Sequence, residues 1–414
     1  MRTCLTSCLL MLISWHMTVQ VHAQPPNPDP DVATLVRGNS EFATHLYQRL
    51  AANDGNLFLS PYSISNALAM TYAGARGNTA SEMQATLRFD LNQDRLHPAF
   101  GRLITQIHGA GEAKPRPFEL TVANRLWGQK DYGFLKPFVQ ISKEHYGAGL
   151  EELDFMDPKE NERSRQAINT WVEKQTNDRI KELLVPGTID TQTRLVLTNA
   201  IYFKAKWLVP FDEKKTKPDA FYLLTGAKVE RPMMHTVANV TFAQHDDLSL
   251  VNLLYEGYDV SMTVILPKKK DGLREVEKQL TPANLQKWLQ SLSMHNVDLK
   301  LPKFTMTSAF NLSGTLKAMG MKEAFDPVNA NLKGIGISRG DLNLYVWEVI
   351  HKAFVAVDEK RTEAAAATAV IVKTLKSSRK EPPPAVFHAD HPFVFLIRDN
   401  RSGTILFIGR LANP

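Results

Sequence analysis

The stretch HPFVFLIRDNRSGTILFIGRLANP, residues 391–414, decides the fold class of this 414-residue chain. Its two apolar runs, FVFLI and TILFIGRL, predict two strands, and the polar segment RDNRSG between them predicts a turn. Both runs are apolar on both faces, so we expect them in the middle of a sheet that is covered on both sides. The end of the chain is therefore predicted to belong to the core.

Four segments upstream of this pair also predict strands, and they lie in the middle and end of the chain. They are RLVLTNAIYFKAKW (194–207), VSMTVILP (260–267), VDLKLPKF (297–304) and KAFVAVDE (352–359). Several of them are apolar on both faces, which again indicates central positions in a covered sheet.

Helices are predicted mainly in the first part of the chain. Apolar residues recur at helical spacing from Val32 to Leu50, and NDGN ends that helix. In residues 57–77 a short strand precedes a helix that Ser60 caps and Pro61 begins. A further amphipathic helix is predicted over residues 164–184.

The order of these elements indicates a single α+β domain over residues 32–414, because helices precede strands without a low-complexity linker or a repeat. Residues 1–23 have the pattern of a secretory signal peptide, with an arginine, a short apolar run and a small-residue cleavage signal. Residues 24–31 predict a proline-rich, disordered lead. Cys4 and Cys8 both fall in the signal peptide, so the mature protein is predicted to have no disulfide.

Charge and motifs point away from several function classes. The formal net charge of +6 is spread along the chain, and no nucleic-acid motif accompanies it. There is no HExxH motif, and the isolated HADH at 388–391 is typical of structural histidines. We therefore expect no nucleic-acid partner, metal, cofactor or membrane anchor.

One short motif raises an enzyme alternative. GISRG, around Ser338, matches the G-x-S-x-G elbow of serine hydrolases, and His388 and His391 follow it. That elbow needs a strand before the serine and a helix after it. Residues 327–335 predict a loop, however, and residues 341–349 alternate as a strand. A hydrolase using Ser338 is therefore kept only as a remote alternative.

The segment EKRTEAAAATAVIVKTL, residues 359–375, is balanced between helix and strand. As a helix it has no wide apolar stripe. As a strand it has one uncharged face, and its charged residues fall on the other. The uncharged face carries Thr362, Ala364, Ala366, Thr368 and Val370; the charged face carries Arg361, Glu363 and Lys373. Such a strand can enter an existing sheet without burying a charge.

Taken together, several motifs resemble the serpin family, in the family's order from about residue 32 to residue 414. They are LFLSPYSISNALAM, GARGNTASEM, LTNAIYFKAKW, HKAFVAVDEKRTEAAAATAV and the C-terminal stretch quoted first. The resemblance implies a serpin fold with three β-sheets, eight or nine helices and an exposed reactive loop near the C-terminus, here about residues 359–385. It also implies a secreted, non-enzymatic inhibitor whose cleaved loop inserts into the central sheet and traps a serine protease covalently.

The resemblance also implies roles for particular residues. The residues expected where the sheet opens are Ser60, Ser63, Asn199 and His351, and those expected where the loop enters are Trp207, Lys303 and Glu359. Counting Thr362 as the fourteenth residue before the cut places the scissile bond between Leu375 and Lys376, and a shift of one residue places it after Lys376. We prefer Leu375, which suits a chymotrypsin-like or elastase-like protease, whereas Lys376 suits a trypsin-like one.

Arg361 departs from the family pattern, since inhibitory members usually have glycine before the hinge threonine. Arginine restricts the backbone where glycine lets it pivot. We nevertheless expect an inhibitor, with slower insertion and more escape as a substrate, because Arg361 falls on the charged face. A non-inhibitory serpin that acts as a carrier or chaperone is the main alternative. The expected protein is a monomer in the extracellular space, or in the periplasm of a bacterial host.

Overall fold

The computed structural model describes residues 29–112, 114–337, 343–362 and 382–414. Within these ranges the helices are α1 (Pro30–Leu50), α2 (Pro61–Gly74), α3 (Gly77–Leu87), α4 (Gln93–His108), α5 (Lys136–Tyr146), α6 (Asn161–Gln175), α7 (Leu273–Gln279), α8 (Pro282–Gln290) and α9 (Ser313–Met319). The strands are β1 (Leu57–Leu59), β2 (Phe118–Gln129), β3 (Leu150–Leu153), β4 (Leu195–Lys206), β5 (Lys217–Tyr222), β6 (Lys228–Gln244), β7 (Leu248–Leu254), β8 (Val260–Pro267), β9 (Ser293–Pro302), β10 (Phe304–Asn311), β11 (Val349–Val357), β12 (Arg361–Thr362), β13 (Ala385–His388), β14 (Phe393–Asp399) and β15 (Ile405–Leu411). The predicted signal peptide and most of the lead lie outside the described residues.

The first two helices begin where side chains can cap them. Asp29 accepts hydrogen bonds from the backbone N–H groups of Asp31 and Val32, so α1 begins at Pro30, two residues earlier than the sequence predicts. The predicted cap of α2 is confirmed, because the Ser60 hydroxyl oxygen accepts from the Ser63 N–H at 3.1 Å. All residues of α2 are buried, and the helix accordingly carries no charged residue on any face.

The predicted helix over residues 164–184 is wrong at its C-terminal end. Helix α6 ends at Gln175, and Asn177 and Asp178 adopt left-handed backbone angles with φ of 50° and 59°. Such angles cannot continue a right-handed helix. The hydroxyl of Thr176 accepts a hydrogen bond from the Ile180 N–H at 3.2 Å and stabilises the turn that follows.

The strands form two hydrogen-bonded networks. One contains six strands in the order β10-β11-β12-β4-β2-β3. The other follows the order β1-β15-β14-β8-β7-β6-β9-β13, with β5 on β6. Strand β6 is 17 residues long and joins two parts of this second network, because residues 228–242 pair with β5 or β9 while residues 241–244 pair with β7. If the second network is divided at this join, the described strands fall into three sheets, the number that the family resemblance implies.

The C-terminal pair of strands lies in the core, as predicted. Every residue of β15 is buried, and β14 is buried except at Arg398. β14 pairs with both β15 and β8, so its backbone is hydrogen-bonded along both edges. Phe58 stacks on Phe407 with ring centroids 5.1 Å apart, which packs β1 against this pair.

The strand predicted over residues 341–349 is also wrong in its described part. Residues 343–348 form no strand, and β11 begins only at Val349. The backbone N–H of Val346 donates instead to the carbonyl of Ala324 at 2.8 Å. Leu344, Tyr345 and Val346 of this segment are buried, so the pattern identified burial but not the hydrogen-bond partner. In the described part of the chain, no helix combines the length and the apolar character that crossing a bilayer requires.

Candidate functional site

In the six-stranded sheet, β4 and β11 pair directly along part of their length, and near the end of β11 another strand lies between them. We call the directly paired part the closed seam, and we use above for the direction toward the end of β11. β11 and β4 pair directly and in parallel from Val349–Phe354 to Leu197–Tyr202. Above this seam, β12 lies between them and runs antiparallel to both: Thr362 pairs with Val357 on one side and with Ala205 on the other. The two residues of β12 therefore extend from the end of β11 back into the gap between β11 and β4.

A buried histidine lies at the closed part of the seam. The Ser60 N–H donates to His351 Nε2 at 3.1 Å, so Nε2 is the acceptor and Nδ1 carries the proton. Nδ1–H then donates to Asn199 Oδ1, across the β11–β4 pairing. The ring is fully buried, and burial lowers its pKa to about 3. His351 is therefore neutral at physiological pH.

The same network continues from the seam into α2 and β2. Asn199 Nδ2 donates to the Ser63 hydroxyl and to Asn124 Oδ1, both at 2.7 Å. Asn124 in turn donates to the Ser63 carbonyl at 3.1 Å. The four residues predicted at the sheet opening are thus brought together, and Asn124 joins them. The sequence signal for Asn124 is a lone amide side chain in the alternating run FELTVANRLWG.

The residues predicted where the loop enters also lie together, at the upper end of the seam. The Trp207 indole N–H donates to the Asp358 carbonyl at 2.9 Å, and its backbone N–H donates to the Lys360 carbonyl at 3.1 Å. The Glu359 carboxylate is 3.0 Å from Lys303 Nζ and is mostly buried. Burial opposes ionisation of Glu359, but hydrogen bonds from its own backbone N–H and from Lys303 lower its pKa.

Thr362 is fully buried between β11 and β4. Its hydroxyl lies 2.7 Å from that of Tyr255, whose ring stacks on Trp207 with centroids 4.5 Å apart. Burial raises the pKa of Tyr255, so the phenol stays protonated and can share this hydrogen bond. The sequence did not identify Tyr255, because nothing local marks a tyrosine as the partner of a hinge residue. For Arg361, the described feature is its backbone pairing with Lys206.

Several predicted residues lie outside the described residues, and their placement stays a prediction. They are Ala364, Ala366, Thr368, Val370, Leu375, Lys376 and Ser338. The residues before Ser338 do not form the strand that a nucleophile elbow requires, since Gly336 makes only an isolated bridge to Phe134. His391 has a structural environment: it is buried, with Nε2 2.7 Å from the Pro267 carbonyl.

The arrangement at the seam is suited to movement of strands rather than to bond chemistry. The buried polar side chains of the closed part, including Asn199 and His351, are neutral, and its one charged residue, Lys352, already reaches the surface, so separating β4 from β11 brings no buried charge into play. Among the described residues no cluster of side chains could hold a metal ion. What the site offers is a gap that already holds two residues of β12 and ends at a seam of direct strand pairs.

Comparison with known proteins assigns this arrangement to a family. A family model described as serpin (serine protease inhibitor) matches residues 37–414. The leukocyte elastase inhibitor of Equus caballus is 38% identical over 390 residues, covering 92% of this chain and 99% of that protein. Serpin B3 of Homo sapiens is 38% identical over 403 residues, covering 92% and 100%. The structure of human thyroxine-binding globulin matches with a TM-score of 0.82 at 30% identity, covering 93% and 99%. The chain therefore belongs to the serpin family and has its α+β fold.

Proposed function

We propose that this serpin is a secreted inhibitor of serine proteases that traps its target covalently. The protease serine attacks the carbonyl of Leu375, the amine of Lys376 leaves, and an ester joins Leu375 to the protease. The loop then inserts between β4 and β11 before water hydrolyses that ester. Loop insertion of this kind is the established behaviour of inhibitory serpins.

The position of β12 is the observation that carries this proposal. Thr362 already lies between β11 and β4, with its side chain in the core. Alternate residues of a strand share one face. As insertion proceeds, the residues that follow Thr362 into the core are Ala364, Ala366, Thr368 and Val370, and none of them carries a charge.

Hydrogen bonding supplies the driving force. An inserted strand pairs with β4 on one edge and with β11 on the other, whereas the closed seam has a single ladder between them. Roughly a dozen new backbone bonds, at about 1 kcal/mol net each, give on the order of 10 kcal/mol. That energy is large enough to distort a bound protease, and it makes the uncleaved form metastable.

The proposal is tested by incubating the purified protein with chymotrypsin, pancreatic elastase and trypsin. We expect a complex with chymotrypsin or elastase that survives boiling in detergent, with residual protease activity falling as inhibitor is added. Mass spectrometry of the C-terminal fragment, separated in denaturant, should place the cut after Leu375. A cleaved loop together with full protease activity would contradict the inhibitor proposal and favour the carrier or chaperone alternative.

A matched pair of variants tests the scissile bond itself. Leu375→Ala should slow inhibition of chymotrypsin roughly 100-fold, because several methyl and methylene contacts with the specificity pocket are lost. Lys376→Ala is the control and should leave that rate nearly unchanged. If instead Lys376→Ala slows inhibition of trypsin and Leu375→Ala does not, the scissile bond is the one after Lys376.

A carrier function is the second candidate. Thyroxine-binding globulin, the structure matched above at 30% identity, is described in complex with thyroxine. Arg361 in place of the hinge glycine also favours a loop that inserts slowly.

Secretion is tested separately by N-terminal sequencing of the mature protein from the medium or periplasm, for which we expect Gln24 as the first residue.

A further inference from the structure

Two paired strands separate beside the loop hinge and leave a cavity between them. The ladder between β6 and β7 ends at the pair Thr241–Asn252. Beyond that pair β6 stays paired with β9, while β7 stays paired with β8 as far as Leu254, and the next residue, Tyr255, bridges to Trp207. The segment Trp207–Phe211 lies across the opening, and the Leu208 N–H donates to the Leu254 carbonyl at 2.9 Å. We call this space the fork cavity, bounded by β6, β7, β9 and residues 207–211.

The fork cavity has the size and lining of a small-molecule site. Its volume is about 270 Å³, and a cavity of about 150 Å³ is enough to hold benzene. Most of its lining is apolar or aromatic, including Trp207, Phe211 and Leu299. No carboxylate, ammonium, guanidinium or imidazole group of the described residues lines it. The chemistry therefore favours a neutral ligand with one or two rings.

Large apolar side chains are exposed at the mouth of the fork cavity. Tyr258, Met294 and Val209 line it and are 62%, 64% and 44% exposed. Tyr258 also has a φ of 66°, which a side chain of this size rarely adopts. Asn400 Nδ2 donates to the Tyr258 carbonyl at 2.8 Å and holds that backbone in place. The exposed ring is therefore presented by an anchored turn beside the cavity.

One half-buried amide in the lining has an unused donor. The side-chain oxygen of Asn252 accepts from the Thr263 hydroxyl at 2.9 Å. Its Nδ2 makes no hydrogen bond to any of the residues that the structure describes. A ligand that carries a carbonyl or hydroxyl oxygen could accept from Nδ2, which would orient the ring against the apolar lining.

We propose that the fork cavity binds a small neutral aromatic molecule with one hydrogen-bond-accepting oxygen, and that this ligand favours the intact form over the form in which the cleaved loop has inserted. The coupling follows from the shared wall. Trp207 and Phe211 line the cavity, and their backbone N–H groups hold the carbonyls of Lys360 and Glu359. Further insertion requires β4 to part from β11. That movement shifts the segment after β4 relative to β6 and β9, and so changes the fit of the ligand.

The binding part of this proposal does not depend on protease inhibition, whereas the coupling part rests on the proposed function. The probe for both is 2-naphthol, which has two rings and one hydroxyl. Calorimetric titration of the intact protein should show saturable 1:1 binding with a dissociation constant of roughly 10 to 100 μM. Ala238→Trp, which fills the cavity from β6, should weaken binding roughly 10-fold or more.

The matched control is Val237→Trp, at the neighbouring position of β6, which is exposed and does not line the cavity. It should bind 2-naphthol as the parent protein does. If Ala238→Trp does not fold, Tyr258→Ala serves instead, because its side chain is largely exposed, and it should weaken binding several-fold. Absence of binding to the parent, or equal binding in both tryptophan variants, would overturn the site.

The coupling is tested with protein cleaved within residues 363–381. We expect 2-naphthol to bind the cleaved protein roughly 5-fold more weakly than the intact protein. Equal affinity for the two forms would overturn the coupling. If the protein inhibits none of the proteases but still binds 2-naphthol at this site, the proposed function is refuted and the binding site is not.

Discussion

At the scale of single residues, His351 shows how a polar group can be built into the core without destabilising it. Its two ring nitrogens have partners at Ser60, the cap of α2, and at Asn199 on β4, so its burial leaves no donor or acceptor unpaired. The cost is that the ring cannot accept a proton without losing the bond from Ser60. The family resemblance pointed to His351, but only the geometry identifies its tautomer.

This burial predicts a pH-dependence of stability. The pKa of His351 is about 3 in the folded state, against 6.5 for an unperturbed histidine. Below about pH 6.5 the unfolded chain therefore binds a proton at this residue that the folded state does not bind. The free energy of unfolding consequently decreases as the pH is lowered from 6.5 to 3. Between pH 7.5 and 5.5 this residue should contribute a loss of about 1.4 kcal/mol.

The variant His351→Gln tests that contribution, because an amide does not titrate. We expect it to be less stable than the parent at pH 7.5, but to lose about 1.4 kcal/mol less between pH 7.5 and 5.5. Urea unfolding at the two pH values measures the difference. Since other groups titrate equally in both proteins, an identical pH-dependence would contradict a neutral, buried His351.

At the scale of elements, β12 is the shortest of the described strands and the one on which the proposed mechanism depends. It is held by backbone pairing to both neighbours and by the hydroxyl pair of Thr362 and Tyr255. Glu359, in the turn before it, is fixed by Lys303. In the proposed mechanism, the point at which insertion starts is therefore anchored both by backbone pairing and by side-chain contacts.

Substitution of Thr362 is the sharpest test of the insertion face. Thr362→Arg would place an unpaired charge at a fully buried position. We expect the variant to behave mainly as a substrate, with the number of inhibitor molecules consumed per protease rising roughly 10-fold. Thr362→Ser keeps the hydroxyl and serves as the control. Unchanged inhibition by Thr362→Arg, on quantitative gels, would contradict the insertion face that begins with Thr362.

At the scale of the whole molecule, the segment after the loop is tied into the core. β13 pairs with β9, and β14 and β15 pair with each other and with β8 and β1. Cleavage within residues 363–381 would therefore leave the C-terminal fragment bound. The two fragments should coelute under native conditions and separate only in denaturant.

The same cleavage should raise the melting temperature. An inserted loop adds on the order of 10 kcal/mol of hydrogen bonding, which corresponds to at least roughly 10 °C for a protein of this size. Differential scanning calorimetry of intact and cleaved protein measures the shift. An unchanged melting temperature would indicate that the cleaved loop stays outside the sheet, as in the carrier alternative.

How far the sequence predicts the molecule depends on how local each feature is. The core strands 393–399 and 405–411 and the cap at Ser60 follow from runs of a few residues. The helix predicted to Leu184 and the strand predicted before Val349 fail, because their ends depend on backbone angles and on a carbonyl partner elsewhere. The family motifs, in turn, named the site residues but not their contacts.

By itself the sequence determined the α+β class, the buried C-terminal strands and the uncharged face of the loop, since periodicity and charge placement are local. Only the tertiary structure decided that Asn124 completes the network at Asn199 and that Tyr255 holds Thr362. Those partners are 75 and 107 residues apart in the chain. Local pattern carries no information about such pairs, because packing of separate strands, rather than propensity, brings the atoms within hydrogen-bond distance.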